Sequence, residues 1–235
     1  MPVAGADGFS KGWVVVSWDG RTASLVTCPD FTTVLQHTAG CDAVAIDMPI
    51  GLLDLSQAGG RLCEQAARTF VGGKKASSVF SSPIRAALAE TLYPQALAAN
   101  RAAGGIGIAK QTFCLFPKMR DIDAQITPAL QKRCKEVHPE VSFAAMACIS
   151  EGHAALAPKK TPLGRLEREL ILQAAGFTDL PRLIALGRAL GAGADDVLDA
   201  CAAAWTAVRV HAGTAIPLPA VPPRDSRGLE MAIWY

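Results

Sequence analysis

Residues 43–46, Ala-Val-Ala-Ile, form an uninterrupted apolar run that ends in Asp47 and is stopped by Pro49 and Gly51. A short run without polar alternation marks a strand buried on both faces, and such a strand needs a layered α/β sheet around it. Val3–Asp7 repeats the arrangement, short, apolar and closed by an acid. Sites in open α/β sheets form at the C-terminal ends of strands, so two strands that each deliver an Asp there constrain fold and chemistry together. Between them, Gly8–Gly12 has the composition of a turn, and Trp13–Trp18 is rich in β-branched and aromatic residues. Asp19-Gly20 supplies the two-residue turn that right-twisted hairpins prefer, and Thr22–Cys28 returns. Asp30 is placed to cap a short helix over Phe31–Thr38. The expectation is an antiparallel three-strand meander, with the Ala43–Asp47 strand parallel to the first strand on its other side.

The middle of the chain reads as helical. Helices are expected over Arg61–Val71, Pro83–Glu90 and Pro94–Ala103, the last two begun by proline, with a basic, flexible loop at Gly72–Ser78. Gly104–Gly107 breaks the chain but lacks the G-x-G-x-x-G spacing of a dinucleotide site. Lys135–His138 reads as a strand cut off by Pro139, followed by helices over Glu140–Ala147, Leu163–Ala175, Leu180–Leu190 and Asp196–His211. The last carries Ala200, Ala202, Ala203 and Ala204, small residues that let a helix approach a sheet closely. Met231–Tyr235 adds a terminal strand. No repeat or linker interrupts this order, so residues 1–235 read as a single domain with a basic helical insertion at about 61–168. That segment carries a balance of +8, against −4 before it and −2 after it, within a net charge of +2.

Composition excludes several classes. Half of the residues are hydrophobic and 19% are charged, enough to bury a core and too apolar for a disordered chain. Seven cysteines without a C-x-x-C pair suit reduced thiols in a cytoplasmic protein, not a disulfide frame or a zinc site. The longest apolar stretches fall short of membrane-spanning length, and the start has no signal-peptide character. Aromatic residues make up only 6%, which argues against a stacking platform for single strands but leaves backbone tracking by Lys and Arg open.

The chemistry lies in the acids. Asp195, Asp196 and Asp199 open the last long helix, and residues three or four apart share a helical face. Capping explains two of them, with Asp195 as the N-cap and Asp196 answering the positive helix end. Asp199 sits a full turn in, among Leu198, Ala200 and Cys201, where an acid is costly unless paired or metal-bound. Asp7 and Asp47 supply further oxygens at the strand ends. Mg²⁺ or Mn²⁺ is the natural cation for such hard donors, and two such ions stabilise both the attacking and the leaving oxygen at phosphorus.

The order of elements resembles the ribonuclease H-like fold, and the chain more closely resembles the DUF429 family, described as predicted nucleases of that fold. The matching segments are Gly5-Ala6-Asp7-Gly8 with Gly12–Val15, Ile46–Leu52, Ser77–Phe80, Pro117-Lys118-Met119, Glu136–Phe143, Lys160-Thr161 with Gly164, Asp196–Ala200, and Gly228–Met231 with Ile233-Trp234-Tyr235. The resemblance implies an α/β mixed sheet flanked by helices, with a helical insertion. By analogy with Holliday-junction resolvases, it implies metal-ligand positions at Asp7, Asp47, Asp196 and Asp199. The insertion adds Glu136 as a candidate ligand and His138 as a candidate general acid or base, with an ordinary pKa near 6.5. For His138, scaffolding at a helix start beside Pro139 is the equal alternative. Lys118, Lys160, Arg165 and Arg168 are candidate phosphate contacts. The function implied is a Mg²⁺- or Mn²⁺-dependent phosphodiester hydrolase acting on nucleic acid or a small nucleotide. The alternatives are a non-catalytic nucleic-acid or nucleotide binding protein with a vestigial site, and an actin-like phosphotransferase. Against the last, Asp47-Met48-Pro49 lacks a second Gly-rich phosphate loop.

Overall fold

The computed structural model describes residues 2–151 and 156–235. The chain begins with β1 (Val3–Phe9), β2 (Gly12–Trp18), β3 (Ala23–Cys28), α1 (Phe31–His37) and β4 (Val44–Asp47). Five helices follow: α2 (Leu62–Val71), α3 (Arg85–Leu88), α4 (Tyr93–Ala102), α5 (Lys110–Cys114) and α6 (Phe116–Gln125). Next come β5 (Cys134–Glu136), α7 (Pro139–Glu151), α8 (Pro162–Ala174), α9 (Leu180–Ala189) and α10 (Ala194–His211). Two-residue strands at Pro217–Leu218 and Ile233–Trp234 close the sequence.

These elements form two compact units. The first comprises Met1–Met48, Arg133–Ile216 and Trp234–Tyr235; the second comprises Pro49–Lys132 and Pro217–Ile233. The first holds a five-stranded sheet in the order β3-β2-β1-β4-β5. β1, β2 and β3 pair antiparallel, while β4 pairs parallel to β1 and β5 parallel to β4. This is the expected mixed sheet with ribonuclease H-like topology. The apolar run at 43–46 is buried along its length because β4 is a central strand with neighbours on both edges.

α10 lies across β1, β2 and β4, flanked by α7, α8 and α9. Its alanines explain how close it comes. A Cβ on Gly5 of β1 would stand 2.1 Å from the Ala204 amide nitrogen and 2.2 Å from the Ala200 carbonyl oxygen. Helix backbone therefore rests directly on strand backbone. Around this contact, Val14, Val16, Phe143, Leu172, Phe177, Leu183 and Leu198 build the core, with Trp18 stacked on Phe177 at 4.2 Å between ring centroids.

Several boundaries differ from the sequence expectation. The stretch read as an insertion, 61–168, contains β5, α7 and the start of α8, which belong to the first unit. A three-residue strand with a lysine at its centre and a proline three residues past its end shows no strong pattern of its own, and β5 exists because β4 offers it an edge. The second unit begins earlier, at Pro49, and takes back residues 217–233. Gly73–Ser78 is a 3-10 helix rather than an irregular loop, the helix expected over Pro83–Glu90 shrinks to α3, and the terminal strand is two residues long. Within the second unit, the carboxylate of Asp225 accepts from the backbone amides of Leu52, Arg227 and Leu229 and from the Arg85 guanidinium. That one side chain ties the returning segment to the rest of its unit. The six described cysteines are free thiols. Among the described residues, no helix is long and apolar enough to cross a membrane.

Candidate functional site

The parallel pairing of β1 with β4 sets Asp7 beside Asp47 and Gly5 beside Ala45. Side chains two apart on a strand share a face, so Asp7 and Asp47 stand on the face where α10 rests on Gly5. The same close approach delivers Asp199, one residue before Ala200, to that corner. Asp7 is buried, Asp199 is 5% exposed, and Asp47 keeps a narrow opening at its strand end. The carboxyls of Asp7 and Asp47 hydrogen-bond each other, which requires one proton between them. Burial, then the charges of Asp47 and Asp199, hold the Asp7 carboxyl well above the usual carboxylate range. Burial and the charge of Asp199 push Asp47 up to about 7, with Glu136 adding to the shift. Asp199 is pushed up to about 6 by burial and by Glu140, while Lys159 and Arg168 oppose the shift. Three acids from three elements thus share more negative charge than their surroundings neutralise.

The cation at this corner is Lys159. Its Nζ donates to Asp199 Oδ2 at 3.0 Å. Its own burial disfavours the charge, but Asp199, Asp47 and Asp7 raise its pKa overall. The backbone that carries it is fastened to α8. Thr161 Oγ1 caps the helix by accepting from the Gly164 amide, and the Thr161 amide donates to the Pro158 carbonyl. The Ala157 amide donates to Glu167, and Arg168 donates to the Ala157 carbonyl. Gly164 makes this possible, since a Cβ there would lie 2.2 Å from the Pro158 carbonyl oxygen. On its other side Lys159 borders an open groove of about 710 Å³, lined also by Lys160, Thr161, Arg165, Glu169 and Asp195.

The remaining sequence candidates divide. Asp196 is at the third position of α10, where its Oδ2 accepts from the Gly193 amide at 2.7 Å. Gly193, not Asp195, is the N-cap, so Asp196 performs the capping and Asp195 faces the groove. Glu136 pairs in register with Ile46, one residue before Asp47. It therefore projects from the opposite face, although its charge still reaches Asp47. The strand ends at Glu136, and His138 lies beyond it. The backbone carbonyl of His138 accepts from the Val141 and Ser142 amides at the start of α7. Arg168 is buried with both Nη2 bonds on Glu140, at 2.7 and 2.8 Å. That pair is internal, and Arg168 does not line the groove. Arg165 bonds Glu169 at 2.7 Å on the groove wall, Lys160 is exposed beside it, and Lys118 lies on α6 in the other unit.

Sequence reasoning missed Lys159 and the pairing of Glu140 with Arg168, a residue it had placed among the phosphate contacts. Lys159 and Lys160 are indistinguishable by type. Only the Thr161 cap and the Gly164 contact decide which of them turns inward.

The donor chemistry fits a hard divalent cation, with three buried carboxylates, no sulfur or imidazole among them, and excess charge that a cation would relieve. Among the described residues, no group of three or more His, Cys, Asp or Glu side chains is set to hold a metal ion as it stands. Asp7 and Asp47 are turned to each other, and Asp199 to Lys159.

The family model described as "Protein of unknown function (DUF429)" matches residues 5–224. No curated protein and no solved structure matches the chain.

Proposed function

The chain belongs to the DUF429 family, and we propose that it is a divalent-cation-dependent phosphodiester hydrolase acting on nucleic acid or a small nucleotide. One observation carries this reading: Asp7 and Asp47 on two neighbouring parallel strands meet Asp199 of α10, residues far apart in sequence, with Asp7 and Asp199 buried and Asp47 partly so. Apolar packing gives no reason to place acids there, and each raises the free energy of the metal-free fold. Acids kept at such a cost are the pattern of a functional site.

Asp7, Asp47 and Asp199 would hold Mg²⁺ or Mn²⁺, with Asp196 at the margin. The cation, when bound, supplies Lewis-acid stabilisation of phosphoryl oxygens and a more acidic water. The chain's own residues supply the rest. Asp7 and Asp47 keep a proton between their carboxyls that they give up when both ionise. Lys160 and Arg165 line the groove and attract a phosphate backbone, while Glu140 holds Arg168 out of that role.

The test compares wild type with Asp199→Asn on labelled single- and double-stranded DNA and RNA, and on bis(p-nitrophenyl) phosphate, in Mn²⁺, Mg²⁺ and EDTA. The expected result is metal-dependent cleavage by wild type that falls by orders of magnitude in the variant. Absence of metal-dependent cleavage of every substrate overturns the hydrolase. Retention of oligonucleotide binding in that case identifies a binding protein.

A further inference from the structure

The cluster contains a cation of its own, and its placement differs from that of the neighbouring arginine. Arg168 is held from both ends, by the Glu140 carboxylate and by the carbonyls of Ala157 and Gly164, and its side chain is 2% exposed. Among the described residues Lys159 makes one hydrogen bond, to Asp199, and its side chain is 40% exposed while that of Asp199 is 8% exposed. The backbone under Lys159 is fixed at Thr161 and Gly164, so any movement belongs to the flexible four-carbon stem. One end of that stem's range is Asp199 and the other is the groove, whose wall Lys159 forms. A single, half-exposed ion pair is displaced at modest cost, whereas a buried bidentate pair is not.

We infer that Lys159 is the resident counter-ion of the carboxylate site, which holds Asp199 in the metal-free protein and competes with the divalent cation for it. This rests on reading Asp7, Asp47 and Asp199 as the metal site. Around Asp199 the charged groups are Lys159, Glu140 with its partner Arg168, and the Asp7–Asp47 pair. Arg168 is committed to Glu140 and reaches Asp199 only through its charge, so Lys159 is the cation that bonds Asp199 directly. A divalent cation brings more charge to the same oxygens and releases the ammonium toward the groove. Lys159 is then a positioning residue that sets the metal concentration at which the site fills.

The experiment measures Mn²⁺ affinity by the electron paramagnetic resonance signal of free Mn²⁺, with no substrate present. Lys159→Met removes the competitor and keeps the length of the side chain, and its Kd for Mn²⁺ should tighten about tenfold. Lys159→Arg keeps the charge and should bind Mn²⁺ no more tightly than wild type. Lys160→Met, which removes a charge from the same groove but not from Asp199, should leave Kd within about twofold, since exposed charges are screened. In EDTA the melting temperature of Lys159→Met should fall below that of wild type, and Mn²⁺ should restore it. If Lys159→Met does not fold without metal, Lys159→Gln, purified in Mn²⁺ and then titrated with chelator, gives the same comparison. An unchanged or weaker Kd in the Met or Gln variant, or equal tightening in Lys160→Met, overturns the inference and leaves the metal site standing. No Mn²⁺ uptake by wild type removes the metal site itself, and the inference with it.

Discussion

Asp47 holds its proton up to about pH 7, whereas in an unfolded chain it would lose it near 4. An acid whose folded pKa is raised stabilises the protein most below its unfolded value, and that contribution drains away as pH climbs toward the folded one. Near neutrality the metal-free protein therefore carries a penalty of about 2–4 kcal/mol at this position. Asp47→Asn stays neutral and keeps a donor toward Asp7. In EDTA at pH 7.5 it should be more stable than wild type by at least about 1 kcal/mol, read from urea midpoints. Mn²⁺ should stabilise wild type by mass action and the variant little. A less stable variant would make Asp47 an ordinary structural acid. At this scale the sequence was informative about types and silent about partners. Asp7, Asp47 and Asp199 stand out because an acid that closes an apolar strand, or sits past a helix's first turn, has no local use. Lys159 does not stand out, because its direction depends on Gly164 admitting the Pro158 carbonyl, a contact with no pattern in the chain.

Among the elements, β1 and α10 are the pair on which the site depends. Gly5→Ala places a methyl group where α10 has backbone atoms, and no side chain is present to yield. Overpacking of this kind costs about 1–3 kcal/mol or more, far above the few tenths that a methyl contributes in open space. Gly40→Ala is the control, with nothing within 4 Å of its Cβ, and should be neutral or slightly stabilising. Thermal melts of the two variants check this directly, and equal effects would contradict the close approach. The run of alanines at 200 and 202–204 made α10 readable, as the uninterrupted apolar run made β4 readable, because each pattern reports burial without reference to distant residues. β5 was read only roughly, and α5 and α6 were not read at all, since their positions follow from neighbours supplied elsewhere.

For the molecule as a whole, the division into two units was not legible, because the second unit is made of two stretches that meet through Asp225. Its carboxylate serves three amides and Arg85. Arg85 and the Leu229 and Leu52 amides lower its pKa despite the opposing effect of burial. The sign is the reverse of that for Asp47. The stabilisation is fully present above the ordinary aspartate value near 4 and is lost as pH falls through the depressed folded one. Asp225→Asn should cost about 2–3 kcal/mol at pH 7, and the gap to wild type should narrow below about pH 4. Denaturant titrations at pH 7 and pH 3 check it; a constant gap would assign the loss to shape instead of charge.

The bare contact of α10 on Gly5 also has a consequence for synthesis. A ribosome delivers Asp7 and Asp47 early, but the helix that covers their strands, with its Asp199, emerges some 150 residues later. Through that interval the glycine in β1 faces no partner and the two strand-end acids lack Asp199, while Lys159 is made about 40 residues before it. Strand ends made early are covered by a helix made late, so a chain that stops before residue 194 has all five strands of the sheet with Asp7 and Asp47 but neither Asp199 nor the helix that closes the site.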